Sequence, residues 1–237
     1  MIALAKSGVA GAVLGLLAAA TANALAADAA HPTVVELFQS QGCSSCPPAA
    51  ANVRAISDRA DVLALSFAVD YWDRLGWKDT FSKPAWTARQ YAYARAMGRD
   101  GVYTPQVVVN GRVEGDGLDP AELTRLIAEG DRGGGGPSIR FAGEAVAIGA
   151  GASSAGGADV WLVRYDPRVV EVAVRRGENA GRTLPHKGVV HEMILLGHWL
   201  GPAETFPLPG AGEPGLADAV LVQAAGAGPI LAAARDP

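Results

Sequence analysis

Apolar residues run almost unbroken through Val34-Val35-Glu36-Leu37-Phe38 and again from Val62 to Val69. Runs of this kind, without alternation, predict strands buried on both faces. Between them an Ala-rich segment beginning at Cys46 carries Val53 and Ile56 at helical spacing. A helix there implies a right-handed crossover and two parallel strands. Farther on, Ser82 as N-cap, Pro84 in the first turn and a stripe of Trp86, Tyr93 and Met97 before Gly98 predict a second helix. The stripe reads as core packing, with Arg89, Gln90 and Arg95 turned elsewhere. Val107-Val108-Val109 predicts a third strand, and Asn110-Gly111 a hairpin turn after it. Asp119-Pro120-Ala121-Glu122 combines an acidic N-cap, a proline at the first helical position and a glutamate in the first turn. Leu123, Leu126 and Ile127 form the buried face of that helix and Gly130 its stop.

From Arg132 the pattern changes. Arg132-Gly133-Gly134-Gly135-Gly136-Pro137 has the composition of a flexible linker and lacks the Lys-Ser or Lys-Thr of a phosphate loop. Short apolar runs follow at 139–141, 145–148, 160–165, 169–174, 189–196, 219–223 and 230–233, with Gly- or Pro-bearing connections. They predict a mostly β, sandwich-like domain over residues 138–237, after an α/β domain over 31–131 and a linker over 132–137. Ala150 to Gly157 reads as a hairpin loop. Gly177-Glu178-Asn179-Ala180-Gly181-Arg182 is turn-rich and charged, and fits either partner recognition or simple solvation.

Composition changes the picture by exclusion. With 237 residues, 49% hydrophobic and 19% charged, the chain has material for one large domain or two small ones. A net charge of -4 gives no electrostatic ground for a nucleic-acid partner. Lys6, the apolar stretch Val9 to Ala20 and the small residues of Ala22-Asn23-Ala24 or Ala24-Leu25-Ala26 predict a signal peptide over residues 1–26. Its core is shorter than the roughly 20 apolar residues of a membrane anchor. The mature chain is therefore expected to be unanchored, periplasmic or secreted, and in an oxidising compartment.

The two cysteines of the chain stand in Gln41-Gly42-Cys43-Ser44-Ser45-Cys46-Pro47-Pro48, at the turn from the first strand into the first helix. Cysteines three apart at a helix start can bridge, and the helix N-terminus favours a thiolate at Cys43. This spacing reads as a redox pair, with Cys43 attacking and Cys46 resolving. Two other readings are weighed against it. A structural disulfide closing so short a loop removes little unfolded-state entropy. Zinc would require further ligands, and His186, His191 and His198 show no ligand spacing, so no metal site is expected. No cofactor is called for.

Two other stretches fall at the same sheet edge. Asp70 to Trp77 follows the second parallel strand and brings Tyr71, Trp72 and Trp77 as an apolar contact surface. Pro105 heads a third strand that runs antiparallel to the first two, which places it on the cysteine edge. A cis bond there would free the backbone of Thr104 for substrate, and an ordinary trans bond is the alternative.

Taken together, Glu36-Leu37-Phe38, the Ser40 to Pro48 stretch, Arg89-Gln90-Tyr91-Ala92, Tyr103-Thr104-Pro105-Gln106 and Asn110-Gly111 resemble an exported thioredoxin-like family known as domain of unknown function 1223. The resemblance spans nearly all of the mature chain. It implies a thioredoxin-like α/β domain with a mixed sheet flanked by helices, Cys43 as nucleophile, Cys46 as resolver and Pro105 as a cis proline. It implies no substrate. Gly42 and Ser44-Ser45 depart from thioredoxins, which carry a tryptophan before the first cysteine. Glu36 lies near the place of a buried acid that moves protons in thioredoxins, and fits equally a proton relay or a hydrogen-bonded strand carboxylate.

The expectation is an exported thiol–disulfide oxidoreductase acting on a protein or small thiol or disulfide, with an electron partner that the residues do not name. The competing readings are a redox-silent module that binds an envelope protein and, more weakly, Cu(I) delivery through the thiols.

Overall fold

The structure, a computed structural model, describes residues 26–236. The leader expected over residues 1–26 lies outside the described residues, Ala26 apart. In chain order the elements are β1 (Thr33–Gln39), α1 (Cys46–Ile56), β2 (Val62–Ala68), α2 (Pro84–Ala96), β3 (Gln106–Val109), β4 (Val113–Gly115) and α3 (Pro120–Gly130). There follow β5 (Ile139–Ala142), β6 (Ala145–Ile148), β7 (Ala158–Asp166), β8 (Val170–Ala173) and β9 (Thr183–His186). The chain ends with β10 (Val189–Trp199), β11 (Glu204–Pro207), β12 (Ala217–Ala224) and β13 (Ile230–Arg235). It is a mixed sheet with flanking helices, mostly β overall, and no helix among the described residues is long and apolar enough to cross a membrane.

β1 and β2 pair in parallel and are buried at every position, which is why their sequences do not alternate. Val34 and Phe38 face the side covered by α2, where Phe38 meets Phe67 with ring centroids 5.3 Å apart and Tyr93 edge-on at 6.1 Å. Val35 and Leu37 face the other side and pack with Ala49 and Val53 of α1 and Leu123 and Leu126 of α3. Trp86 and Tyr93 belong to the core as their stripe predicts, with Met97 packed at its margin. Arg89 and Gln90 do not turn away: Gln90 is fully buried and the Arg89 side chain is 9% exposed. Lys83, rather than Ser82, is the N-cap of α2, because Pro84 takes the first helical position and the Ser82 hydroxyl is engaged by Asp73.

The Asn110-Gly111 turn forms as expected, with both residues at positive φ. Asn110 does more than turn the chain. Its buried side chain accepts from Val34 N at 2.9 Å and donates to Gly130 O at 2.9 Å, while its carbonyl accepts from Ile230 N. It fastens β1, α3 and β13 together.

The second half is not a separate sandwich behind a flexible linker. The large sheet has eight strands in the order β13-β12-β7-β10-β2-β1-β3-β4, so four strands of the second half continue the first. The two halves meet where β10 joins β2 in parallel at Val189 and Ser66, and Ser66 N donates to Gly188 O at 2.7 Å. Gly188 is required there, since its φ is +68° and a Cβ would lie 2.5 Å from Ala64 O. A three-stranded sheet, β11-β6-β5, lies over the far end of the large one, with Val146, Ile148, Trp199, Phe206 and Val220 in the shared core. The 132–137 stretch is a packed turn with Gly133 and Pro137 buried. Residues 150–157 connect β6 to β7 in different sheets and form no hairpin.

Candidate functional site

Cys43 and Cys46 form a disulfide where β1 hands over to α1. The chain turns there because Cys43 N donates to Ser40 O and Cys46 N to Cys43 O. Pro47 and Pro48 follow in the first helical turn, where the N–H groups they lack have no intrahelical partner to lose. Cys43 is 0% exposed and Cys46 1%, whereas Ser44 and Ser45 are exposed. The Ser45 hydroxyl lies 3.3 Å from Cys43 Sγ.

The turn is held from two sides. On one side stands the loop after β2. Asp79 Oδ2 accepts from Gln41 N at 2.6 Å and its Oδ1 from Phe81 N at 2.8 Å. Burial pushes its carboxyl up to about 6, against the backbone donors that lower it. Trp77 Nε1 donates to Gln41 Oε1 at 2.9 Å. Trp72 packs beside Gly42, where an added Cβ would meet the Trp72 Cβ at 3.6 Å, and its Nε1 donates to Thr104 Oγ1 at 2.8 Å. Thr104-Pro105 is a cis peptide, Pro105 is buried, and pairing of Gln106 with Phe38 sets it at the end of β1 nearest the cysteines. Tyr71 donates to Gln90 Oε1 at 3.3 Å, and burial drives its hydroxyl up to about 12. Trp72 and Trp77 thus reach the cysteine turn itself, while Tyr71 faces α2.

On the other side is the loop between β8 and β9. Asn179, fully buried, donates through Nδ2 to Gln41 O at 2.9 Å and to Cys43 O at 2.8 Å. Arg182 Nη1 fixes its amide by donating to Asn179 Oδ1 at 2.6 Å. Glu178 Oε2 accepts from Ser44 N at 3.0 Å, and hydrogen bonds from the Ser44 side chain and backbone hold its carboxyl below the usual range. The loop that sequence leaves between partner recognition and solvation closes over this chain's own cysteines. Its single legible signal is the Glu-Asn pair inside glycines, which is too common to identify in advance.

Glu36 is not brought to the disulfide. It lies on the α2 face of β1, where Arg89 Nε donates to Oε1 at 2.9 Å and the Tyr93 hydroxyl donates to Oε2. The Arg89 guanidinium also stacks over Tyr93, 4.9 Å from the ring centroid. Tyr93 OH in turn accepts from Gln223 Nε2 at 3.0 Å. α1, which begins at Cys46, covers the opposite face.

The histidines lie apart. His198 pairs with Asp159 at 2.7 Å, and His191 lies beside Phe81. His186 is 4% exposed behind α1, and burial, helped by Arg54, drives its imidazole down to about 4. Among the described residues no group of three or more His, Cys, Asp or Glu side chains is placed to hold a metal ion.

The family model "Protein of unknown function (DUF1223)" matches residues 34–223. Among solved structures the chain is similar to protein AGR_C_4864 from Agrobacterium tumefaciens, at 38% identity and a TM-score of 0.70, over 86% of this chain and 92% of that one. It is also similar in fold to HBP35 of Porphyromonas gingivalis, at 15% identity and a TM-score of 0.60, over 87% of this chain and 74% of that one. No match was found among curated proteins.

Proposed function

The chain belongs to the family described as Protein of unknown function (DUF1223), and we propose that this member is an exported thiol–disulfide exchange protein with a thioredoxin-like core. The observation that carries the reading is the Cys43–Cys46 disulfide at the start of α1, with cis Thr104-Pro105 tied to the same turn through Trp72. The order β1-α1-β2-α2-β3-β4-α3 supports the thioredoxin-like core. The leader-like residues 1–26 support export to the periplasm or beyond.

In this reading the reduced Cys43 thiolate, favoured by the α1 N-terminus, attacks a substrate disulfide. One substrate sulfur leaves as a thiolate and the other remains in a mixed disulfide with Cys43. Cys46 then attacks Cys43 Sγ, re-forms the protein disulfide and releases the second substrate sulfur. The opposite direction uses the same steps reversed. Thr104 and Pro105 hold the substrate backbone beside the cysteines, and Trp72 and Trp77 supply an apolar contact.

A second reading is favoured by one observation, the burial of both sulfurs: a redox-silent module that recognises an envelope protein. Trapping separates the two. A Cys46→Ser variant expressed with its leader accumulates mixed disulfides through Cys43 under the exchange reading, and Cys43→Ser does not. Recovery of the same partners by both variants, without a disulfide, supports the binding module instead.

A further inference from the structure

A cleft of about 220 Å³ lies between α1 and β9, and Cys46 forms part of its wall. Its other walls include Ser40, Gln39, Arg54, Arg182 and His186. Two guanidinium groups and no carboxylate border it. The buried His186 supplies an independent mark of a ligand, because its Nε2 has no hydrogen-bond partner among the described residues. The state of that nitrogen follows from the neighbour of the other one. Gln39 Nε2 approaches His186 Nδ1 at 3.4 Å and also donates to Ser66 Oγ at 2.6 Å. An amide nitrogen donates, so Nδ1 accepts. The neutral ring then carries its proton on Nε2, an unsatisfied donor. Unpaired buried donors are costly, and a donor beside two cations is matched by an anion.

We propose that this cleft seats the carboxylate of a small anionic thiol or disulfide whose sulfur exchanges with the Cys43–Cys46 pair; the proposal rests on the exchange reading above and names its substrate class. The volume lies under the ~300–1,000 Å³ of sites for drug-sized molecules, which suits a short acid rather than a folded chain. In the oxidative direction a substrate thiolate adds to one sulfur of the pair, the Cys43–Cys46 bond breaks and the other sulfur leaves as a thiolate. A second substrate thiolate then attacks the substrate sulfur of the mixed disulfide, the bond to the protein cysteine breaks, and that cysteine leaves as a thiolate while the substrate disulfide departs. Two substrate thiols become one disulfide, and the protein pair takes up the two electrons and the two protons. No further reactant is needed for one turnover.

The test is single-turnover reduction of the oxidised protein by 3-mercaptopropionate, 2-mercaptoethanol and cysteamine. Each rate is divided by that of the same thiol on hydroxyethyl disulfide, which removes differences in thiol reactivity. The expected result is a normalised preference of about tenfold for the anionic thiol over the neutral one, with the cationic thiol slowest. Arg54→Gln and His186→Phe each reduce that preference, read as the ratio of the 3-mercaptopropionate rate to the same variant's own 2-mercaptoethanol rate. Equal normalised rates, or a preference that survives both substitutions, overturn the proposal. A second measurement separates it from the exchange reading: binding of 3-(methylthio)propionate, which cannot exchange, followed at the His186 ring by NMR. If no thiol opens the disulfide but this acid binds, the exchange reading fails and the anion seat stands. If thiols react and the acid leaves His186 unperturbed, the seat fails alone.

Discussion

Two buried polar assemblies flank the same strand, and they are built on opposite principles. On the α2 face, Glu36 is answered by Arg89 and Tyr93, and Tyr93 by Gln223, side chain against side chain in a closed set. At the cysteine edge, Asn179, Asp79 and Glu178 address backbone groups of the turn from Gln41 to Ser44. They come from two separate loops. The first set is internally neutralised and lies on the face of β1 opposite α1, so removing one member leaves a buried charge unpaired. The second shapes the disulfide turn and leaves His186 Nε2 without a partner among the described residues beside it. Buried charge alone does not mark a candidate site; incomplete pairing beside a cysteine pair is the stronger sign.

The largest effect should come from opening the closed set. Arg89→Met leaves Glu36 buried and uncompensated, and is expected to cost about 3–5 kcal/mol in denaturant unfolding. Removing both charges, in Glu36→Leu with Arg89→Met, should recover most of that loss. If the two assemblies are independent, the redox potential of Cys43–Cys46 in either folded variant stays at the wild-type value. A shifted potential breaks the contrast and returns Glu36 to the chemistry.

Next in size is the pH response of Asp79. Its folded value of about 6 lies above the ordinary 3.8, so the folded chain holds the proton more tightly than the unfolded one. Stability is then full below the lower value and falls as pH rises through the folded value, by on the order of 2–3 kcal/mol. Urea midpoints of wild type and Asp79→Asn between pH 4 and pH 7 should diverge in slope, the variant being flatter across this window. Parallel slopes contradict the assignment.

Asn179→Ala removes both donors to the turn and is expected to cost about 1–2 kcal/mol. Openings that expose the sulfurs become about tenfold more populated, and reduction by dithiothreitol speeds up accordingly. The smallest effect belongs to Glu178. Its carboxylate occupies Ser44 N, a backbone donor beside Cys43, and opposes a thiolate there. Glu178→Gln should lower the Cys43 thiol pKa by less than about one unit, read from the pH dependence of alkylation in the Cys46→Ser background.

Much of the first half was legible because its signals are local. β1 and β2 are buried on both faces and read as unbroken apolar runs, and Asp119 caps α3 through Ala121 N at 2.8 Å as its motif demands. The stripe of α2 was readable as core, but Arg89 beside it was not, since only its partner across the sheet makes an arginine a core residue. Short strands β9 and β11 are not legible, because Pro185 and Pro207 and their polar neighbours resemble turns. The joining of both halves into one sheet rests on a single residue pair of β2 and β10, and no periodicity reports that. The cysteine turn and Thr104-Pro105 were visible in sequence. The loop that holds the cysteine turn from its other side was visible only as composition, because Asn179 meets Cys43 across 136 residues.

The most direct test of the exchange reading is a thiol–disulfide equilibrium on the mature protein, with free thiols counted across graded redox buffers while circular dichroism reports the fold. The predicted result is that Cys43 and Cys46 appear together as one reversible two-electron couple in a chain that remains folded. A disulfide that opens only when the protein unfolds would contradict it, and would leave the cysteine pair as a structural clasp within a binding module.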